Sequence, residues 1–182
     1  MKYALWRKKG KHTMENTKRI YLSALVYNRT GVLLRVAGLF ARRGYNVVSL
    51  TVSETESPEF SRMTIVSDVE EYKVAMVHQQ LSRLEEVINV ITLDENQTIQ
   101  SELLLIKVHA LNKDRKKVLK TINSFGARVM DIGHVTITAE LTGLPSLIDK
   151  FIDKMEKHGI CELSRSGLTA LESGDRNIKG VE

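Results

Sequence analysis

The chain has 182 residues, 42% apolar and 27% charged, which suits one soluble globular domain or two small ones. No apolar run approaches the roughly 18 residues that span a bilayer, and the single cysteine, Cys161, cannot form an intrachain disulfide, so a reducing cytoplasmic setting without membrane contact is expected. The formal charge of +5 sits at the head of the chain, where residues 1–18 carry six Lys or Arg against Glu15 alone; residues 19–182 then sum to zero, which argues against a nucleic-acid surface. That basic stretch is either a flexible arm or an extension ahead of a true start at Met14, and the sequence leaves both readings open.

In chain order, Ile20 to Tyr27 reads as a strand. Gly31 to Arg43 reads as a helix, with Val32, Leu33, Val36, Leu39 and Phe40 at three- and four-residue spacing and Gly44 as its stop. Asn46 to Glu54 and Ser61 to Ser67 are strands about a turn at Ser57-Pro58. Asp68 with Glu71 resembles a capping box for a helix that carries Val74, Val77, Leu81 and Leu84, and Val87 to Leu93 closes the unit as a strand.

The same order then recurs. Glu102 to Leu111 is a strand, Asp114 to Phe125 a helix ended by Gly126, and Ala127 to Ile132 and His134 to Leu141 are strands flanking Gly133. Leu144 to Lys157 is a helix with Pro145 in its first turn, and Ile160 to Ala170 is the last strand. The expected fold is α+β: two tandem βαββαβ ferredoxin-like units, at 19–94 and 101–172, with a basic N-terminal extension at 1–18 and a tail at 173–182. Units of this size have small cores and leave one sheet face open. In the first unit that face carries Tyr21, Leu25 and Tyr27, so it is expected to be buried against a partner or the second unit.

The most informative segment is Asn28-Arg29-Thr30-Gly31-Val32-Leu33, where the first strand turns into the first helix. Unpaired N–H groups of a first helical turn, together with the helix dipole, form an anion-binding corner, and Gly31 has no side chain to obstruct it. Asn46, opening the next strand, is expected to face the same corner. The second unit keeps an Asn in Asn112-Lys113-Asp114-Arg115 but has no glycine there, so only the first copy is expected to hold a ligand.

Other chemistry finds little support. No Gly-rich run leads to Lys-Ser or Lys-Thr, and there is no GxGxxG after a strand. The five histidines have no metal-ligand spacing; His109 and His134 read as a solvated pair on neighbouring strands. Cys161 reads as an inert packing residue, and Ser164 and Ser166 lack partners for a nucleophilic triad. The third strand, Ser61-Arg62-Met63-Thr64-Ile65-Val66, contains no aromatic on which a base could stack, which argues against RNA recognition.

The N-x-x-G-x-L turn at Asn28, Gly31 and Leu33, then Gly44-Tyr45-Asn46, Ser61-Arg62-Met63-Thr64-Ile65 and the late Arg165-Ser166-Gly167 resemble, in that order, the small regulatory subunits of acetolactate synthase over residues 19–176. The resemblance implies an N-terminal ACT domain and a ferredoxin-like C-terminal domain. It implies a non-catalytic chain without a cofactor, which binds the large thiamine-diphosphate-dependent catalytic subunit, activates it and confers feedback inhibition by valine, with leucine or isoleucine as other candidate effectors. Asn28, Thr30, Gly31, Val32 and Leu33 would line the effector site on one protomer, and Asn46, Val47 and Val48 the facing wall from another, in a homodimer formed through the ACT domain. A free amino acid fits such a corner: carboxylate on N–H groups, ammonium on carbonyl oxygens of Asn28 or Asn46, and side chain near Leu33 and Val47. A stand-alone ACT module that regulates another enzyme or a transcription factor is the alternative, and a small phosphatase using Arg29 is a more distant one.

Overall fold

A computed structural model describes residues 17–180, the side chain of Asn112 excepted, so the readings of the basic extension and of the start at Met14 fall outside the described residues. The described residues form two compact units, one of residues 17–99 together with 168–180, the other of Gln100–Gly167. Residues 168–172, expected in the second unit, group with the first, as do the described residues of the expected tail, 173–180.

In the first unit, β1 (Thr17–Tyr27), α1 (Val32–Arg43), β2 (Asn46–Glu54), β3 (Phe60–Glu70), α2 (Val74–Leu81) and β4 (Val87–Thr92) follow the expected βαββαβ order. The sheet order is β2-β3-β1-β4, all neighbours antiparallel, with β2 at one edge. Alternation along β1 sends Ile20, Leu22, Ala24 and Val26 to the helices, where they pack with Val36, Phe40, Met63, Ile65, Val77 and Leu81. Gly44 ends α1 at φ 69°, its N–H donating to Ala41 C=O. The expected capping box is absent. Asp68 lies inside β3, where its carboxylate accepts from Arg19 at 2.8 and 3.0 Å, and a 3₁₀ turn (Glu71–Lys73) precedes α2.

The opposite face of this sheet is covered by the chain's own C-terminal segment. Leu168 and Ala170 pack with Val66 and Leu93, and Tyr21 and Ile91 flank them. Thr51 Oγ1 donates to Leu168 C=O at 2.7 Å, Leu168 N–H to Ser49 Oγ at 3.2 Å, Ser173 N–H to Gln97 C=O at 2.9 Å, and Asn89 Nδ2 to Ile178 C=O at 2.7 Å. Ile178 is buried. The expected cover for Tyr21 and Leu25 is thus a strap from the same chain.

The second unit contains β5 (Thr98–His109, from Gln100 on), α3 (Asn112–Ser124), β6 (Arg128–Ile132), β7 (Thr136–Gly143), α4 (Pro145–Glu156) and β8 (Ile160–Arg165), with sheet order β6-β7-β5-β8. Its core includes Leu104, Ile106, Val118, Ile122, Ile137, Ile148, Phe151 and Met155. The expected last strand is broken: β8 ends at Arg165, Gly167 takes φ 82°, and a separate strand, β9 (Thr169–Glu172), follows within the strap. Arg165-Ser166-Gly167 is the device that ends the unit. The Arg165 guanidinium grips buried Glu102 at 2.7 and 2.5 Å and Asp149 at 2.9 Å, and Ser166 exchanges hydrogen bonds with Leu103 at 2.9 and 3.0 Å.

Two outcomes follow for this unit. Arg165→Met leaves the Glu102 carboxylate buried without its cation, so denaturant unfolding of the variant should show a loss of about 3–5 kcal/mol. Burial, with Lys157 adding to it, holds His158 below its ordinary value of 6.5. The unfolded chain therefore takes up the proton first, and stability falls as pH drops below the unfolded value. Denaturation midpoints at pH 7.5 and 5.5 should differ less in His158→Gln than in the wild type.

Candidate functional site

The corner between β1 and α1 differs in detail from the sequence expectation. Helix α1 begins at Val32, and Gly31 is its N-cap at φ 90°, so glycine is required by the backbone. A Cβ at this position would meet nothing within 4 Å, so the space in front of it is open. Val32 N–H is spent on Arg29 C=O at 3.3 Å, and the Val32 side chain is buried in the core, which takes that residue's side chain out of any ligand contact. Among the described residues, the N–H groups of Gly31, Leu33 and Leu34 donate to nothing. No acidic residue occupies the first turn, so nothing within the helix compensates the positive end of its dipole. Thr30 and Leu33 are exposed beside these donors.

Asn28 is fixed by three hydrogen bonds: its Nδ2 donates to Glu54 Oε1 at 3.0 Å and Pro58 C=O at 2.9 Å, and its N–H to Glu59 C=O at 2.7 Å. Glu54, which sequence reasoning missed, thereby brings a carboxylate to the corner. It stands at the end of β2, 26 residues after Asn28, and no local pattern marks it. Arg29 lies over the Tyr27 ring at 4.7 Å, and Arg35 pairs with Glu86 at 2.6 Å.

Asn46 is not at this corner. It begins β2 opposite Asp68, whereas Asn28 is bonded to Glu54 at the end of the same strand. Eight residues of strand separate the two ends, about 26 Å at 3.3 Å per residue. Val47 and Val48 stand beside Asn46, 36% and 45% exposed, on the free edge of the sheet. A groove of about 210 Å³ runs between α1 and β2 at that end, lined by Val36, Ala37, Phe40, Ala41, Tyr45, Val47, Leu50 and Ile65. One protomer therefore carries a corner of open N–H groups and an apolar groove at opposite ends of the same edge.

The second unit's equivalent turn is closed. Asp114 and Arg115 N–H groups both donate to Leu111 C=O, at 2.8 and 3.0 Å, Asp114 places an acid in the first turn, and Arg115 Nη2 donates to the carbonyls of Gly133 and His134. His134 lies in the turn between β6 and β7 and off the sheet, so it forms no strand pair with His109. Cys161 is exposed where packing was expected, and partial burial raises its thiol above the ordinary range, which leaves little reactive thiolate. Among the described residues, no three His, Cys, Asp or Glu side chains are placed to hold a metal, and no helix is long and apolar enough to cross a membrane.

Comparison with known proteins agrees with these features. Residues 22–89 match the model of the AHAS small subunit-like ACT domain, and residues 101–174 that of the small subunit of acetolactate synthase. The chain is 39% identical over 158 residues to a probable acetolactate synthase small subunit of Methanothermobacter thermautotrophicus, covering 86% of this chain and 94% of that one. It is 39% identical over 157 residues to the acetolactate synthase small subunit of Mycolicibacterium smegmatis, covering 86% and 92%. The crystal structure of the small subunit from Thermotoga maritima superposes with a TM-score of 0.80 at 30% identity, covering 87% of this chain and 99% of that one. With both units matched and relatives near 40% identity aligned over almost their whole length, this chain belongs to the acetolactate synthase small-subunit family.

Proposed function

We propose that this chain is the non-catalytic regulatory subunit of a cytoplasmic acetolactate synthase. In this reading it binds the large catalytic subunit, raises its activity and transmits feedback inhibition by valine in branched-chain amino-acid synthesis. The observation that carries the proposal is the separation of the two half-sites along β2. A two-fold pairing of β2 edges in antiparallel sense, centred near Leu50, sets Asn46 of one protomer opposite Glu54 of its partner. The Gly31 corner of one chain then meets the Asn46–Val48 wall of the other. A closed dimer of this kind also removes the exposed sheet edge.

An amino acid fits the completed site. Its carboxylate takes the N–H groups of Gly31 and Leu33, its ammonium takes the Glu54 carboxylate or the oxygens of Asn28 and Asn46, and an aliphatic side chain enters the apolar groove near Val47. The helix end supplies about 0.3–1 kcal/mol, whereas millimolar to micromolar affinity needs about 4–8 kcal/mol. Direct hydrogen bonds and enclosure between two chains supply the difference. Such a site is sensitive to the arrangement of the protomers, so valine shifts the holoenzyme by binding one arrangement better than the other.

Two outcomes test this. With reconstituted large subunit, Gly31→Asp puts a carboxylate where the ligand's own must sit, so valine inhibition is lost while activation is retained; inhibition equal to wild type removes the site assignment. Val48→Lys sets like charges near the two-fold axis, so sedimentation should show a weakened dimer and kinetic assay a parallel loss of valine sensitivity. A variant that stays dimeric and fully valine-sensitive excludes this edge as the interface.

A further inference from the structure

The Ser61-Arg62-Met63-Thr64-Ile65 segment contains a charge that the effector corner does not use. Arg62 lies on the strap-covered face of the first unit's sheet, half-buried, with Nε–H donating to Ser23 Oγ at 2.9 Å. Ser23 is itself fully buried. A guanidinium has five N–H donors, and among the described residues this is the only one that is spent. Among the described residues no carboxylate pairs with it: Glu172 and Glu56 act on it only from a distance, and Glu56 is already engaged by Lys179. Burial lowers the Arg62 pKa, so its solvation is reduced without an ion pair to offset the loss.

Arg62 lines a cavity of about 490 Å³ between the sheet and the strap, with Leu25 and Ile178 as apolar wall and Thr55 and Asn177 as polar neighbours. We propose that this cavity is a second ligand site, for a small aliphatic carboxylate, distinct from the effector corner. The free guanidinium fork receives the carboxylate in bidentate fashion, and the short hydrocarbon part lies against Leu25 and Ile178. A single negative charge suits the site because Glu56 and Glu172 would repel a dianion. The Lys179–Glu56 pair closes one side, so the ligand needs no ammonium group of its own.

The test uses the full-length ¹⁵N- and methyl-labelled chain, with isobutyrate as probe. Titration should give saturable shifts of the Arg62 Nε–H and of the Leu25 and Ile178 methyls, with half-saturation near about 1 mM. Arg62→Gln should raise that concentration about 10- to 100-fold, Gly31→Asp should leave it unchanged, and inorganic phosphate should bind more weakly. Absence of a saturable response in the wild type up to about 50 mM overturns the proposal whether or not any variant folds. It is equally overturned by an undiminished response in a folded Arg62→Gln, or by loss of the response in Gly31→Asp, which would assign the probe to the effector corner. Phosphate binding as tightly as isobutyrate overturns the carboxylate assignment. Failure of valine inhibition to respond to Gly31→Asp bears on the effector corner alone, so the two readings fail independently.

Discussion

A four-stranded sheet has two faces and two edges, and two helices cover only one face. The remaining surfaces govern the first unit. Its core of alternating β1 and β3 residues against α1 and α2 is ordinary, but Tyr21, Leu25, Val66 and Ile91 point the other way. Those side chains could be satisfied only by more chain, and the strap from Leu168 supplies it. The polar residues of β2 and β4 that hold the strap, Ser49, Thr51 and Asn89, bond its backbone groups, so little backbone is buried without a partner. With one face packed on helices and the other strapped, the β2 edge still presents exposed apolar side chains, Val47, Val48 and Val52.

The corner at Gly31 is built from what its helix lacks. A backbone or side-chain acceptor would satisfy the N–H groups and an acid in the first turn would offset the dipole, as the Leu111 carbonyl and Asp114 respectively do at the start of α3. Instead the cap is a glycine at positive φ, and two donors adjacent to it remain open. The cost to the free protein is small, because exposed amides at a helix end are hydrated. In a site closed by a second chain that water is lost, and a carboxylate becomes the natural replacement. Asn28, fixed to the β2–β3 hairpin, ties the corner to the same strand whose other end carries the apolar groove.

Much of this was legible in the sequence. Period-2 and period-3.6 patterns located the strands and helices, and the glycines at 44 and 126 marked helix ends. Short-range reading failed where the deciding contact was remote. Asp68 looks like a cap because Glu71 follows it, yet Arg19, almost fifty residues earlier, holds it in a strand. Ile160 to Ala170 looks like one strand because apolar residues recur on both sides of Ser164-Arg165-Ser166-Gly167; the break comes from Gly167 and from Arg165 turning onto Glu102. Asn46 was drawn to the corner by proximity in sequence to Gly44, whereas a strand's length separates it from Asn28. Glu54 carried no local signal, and only the hairpin geometry reveals it.

The separation of Asn46 from Asn28 within one chain is informative in itself. Had both asparagines met in one chain, the site would be complete in a monomer, and ligand binding would carry no dependence on how chains are arranged. In the proposed dimer, dividing the donors and the apolar groove between opposite ends of one edge strand would make the ligand's affinity a function of the pairing of that edge. A ligand bound across such a seam favours the paired geometry that joins both halves, and by linkage any partner that shifts that geometry alters ligand affinity by the same factor. The chemistry of the corner is generic to helix N-termini; its separation from the groove by the length of β2 is what the proposed regulation rests on.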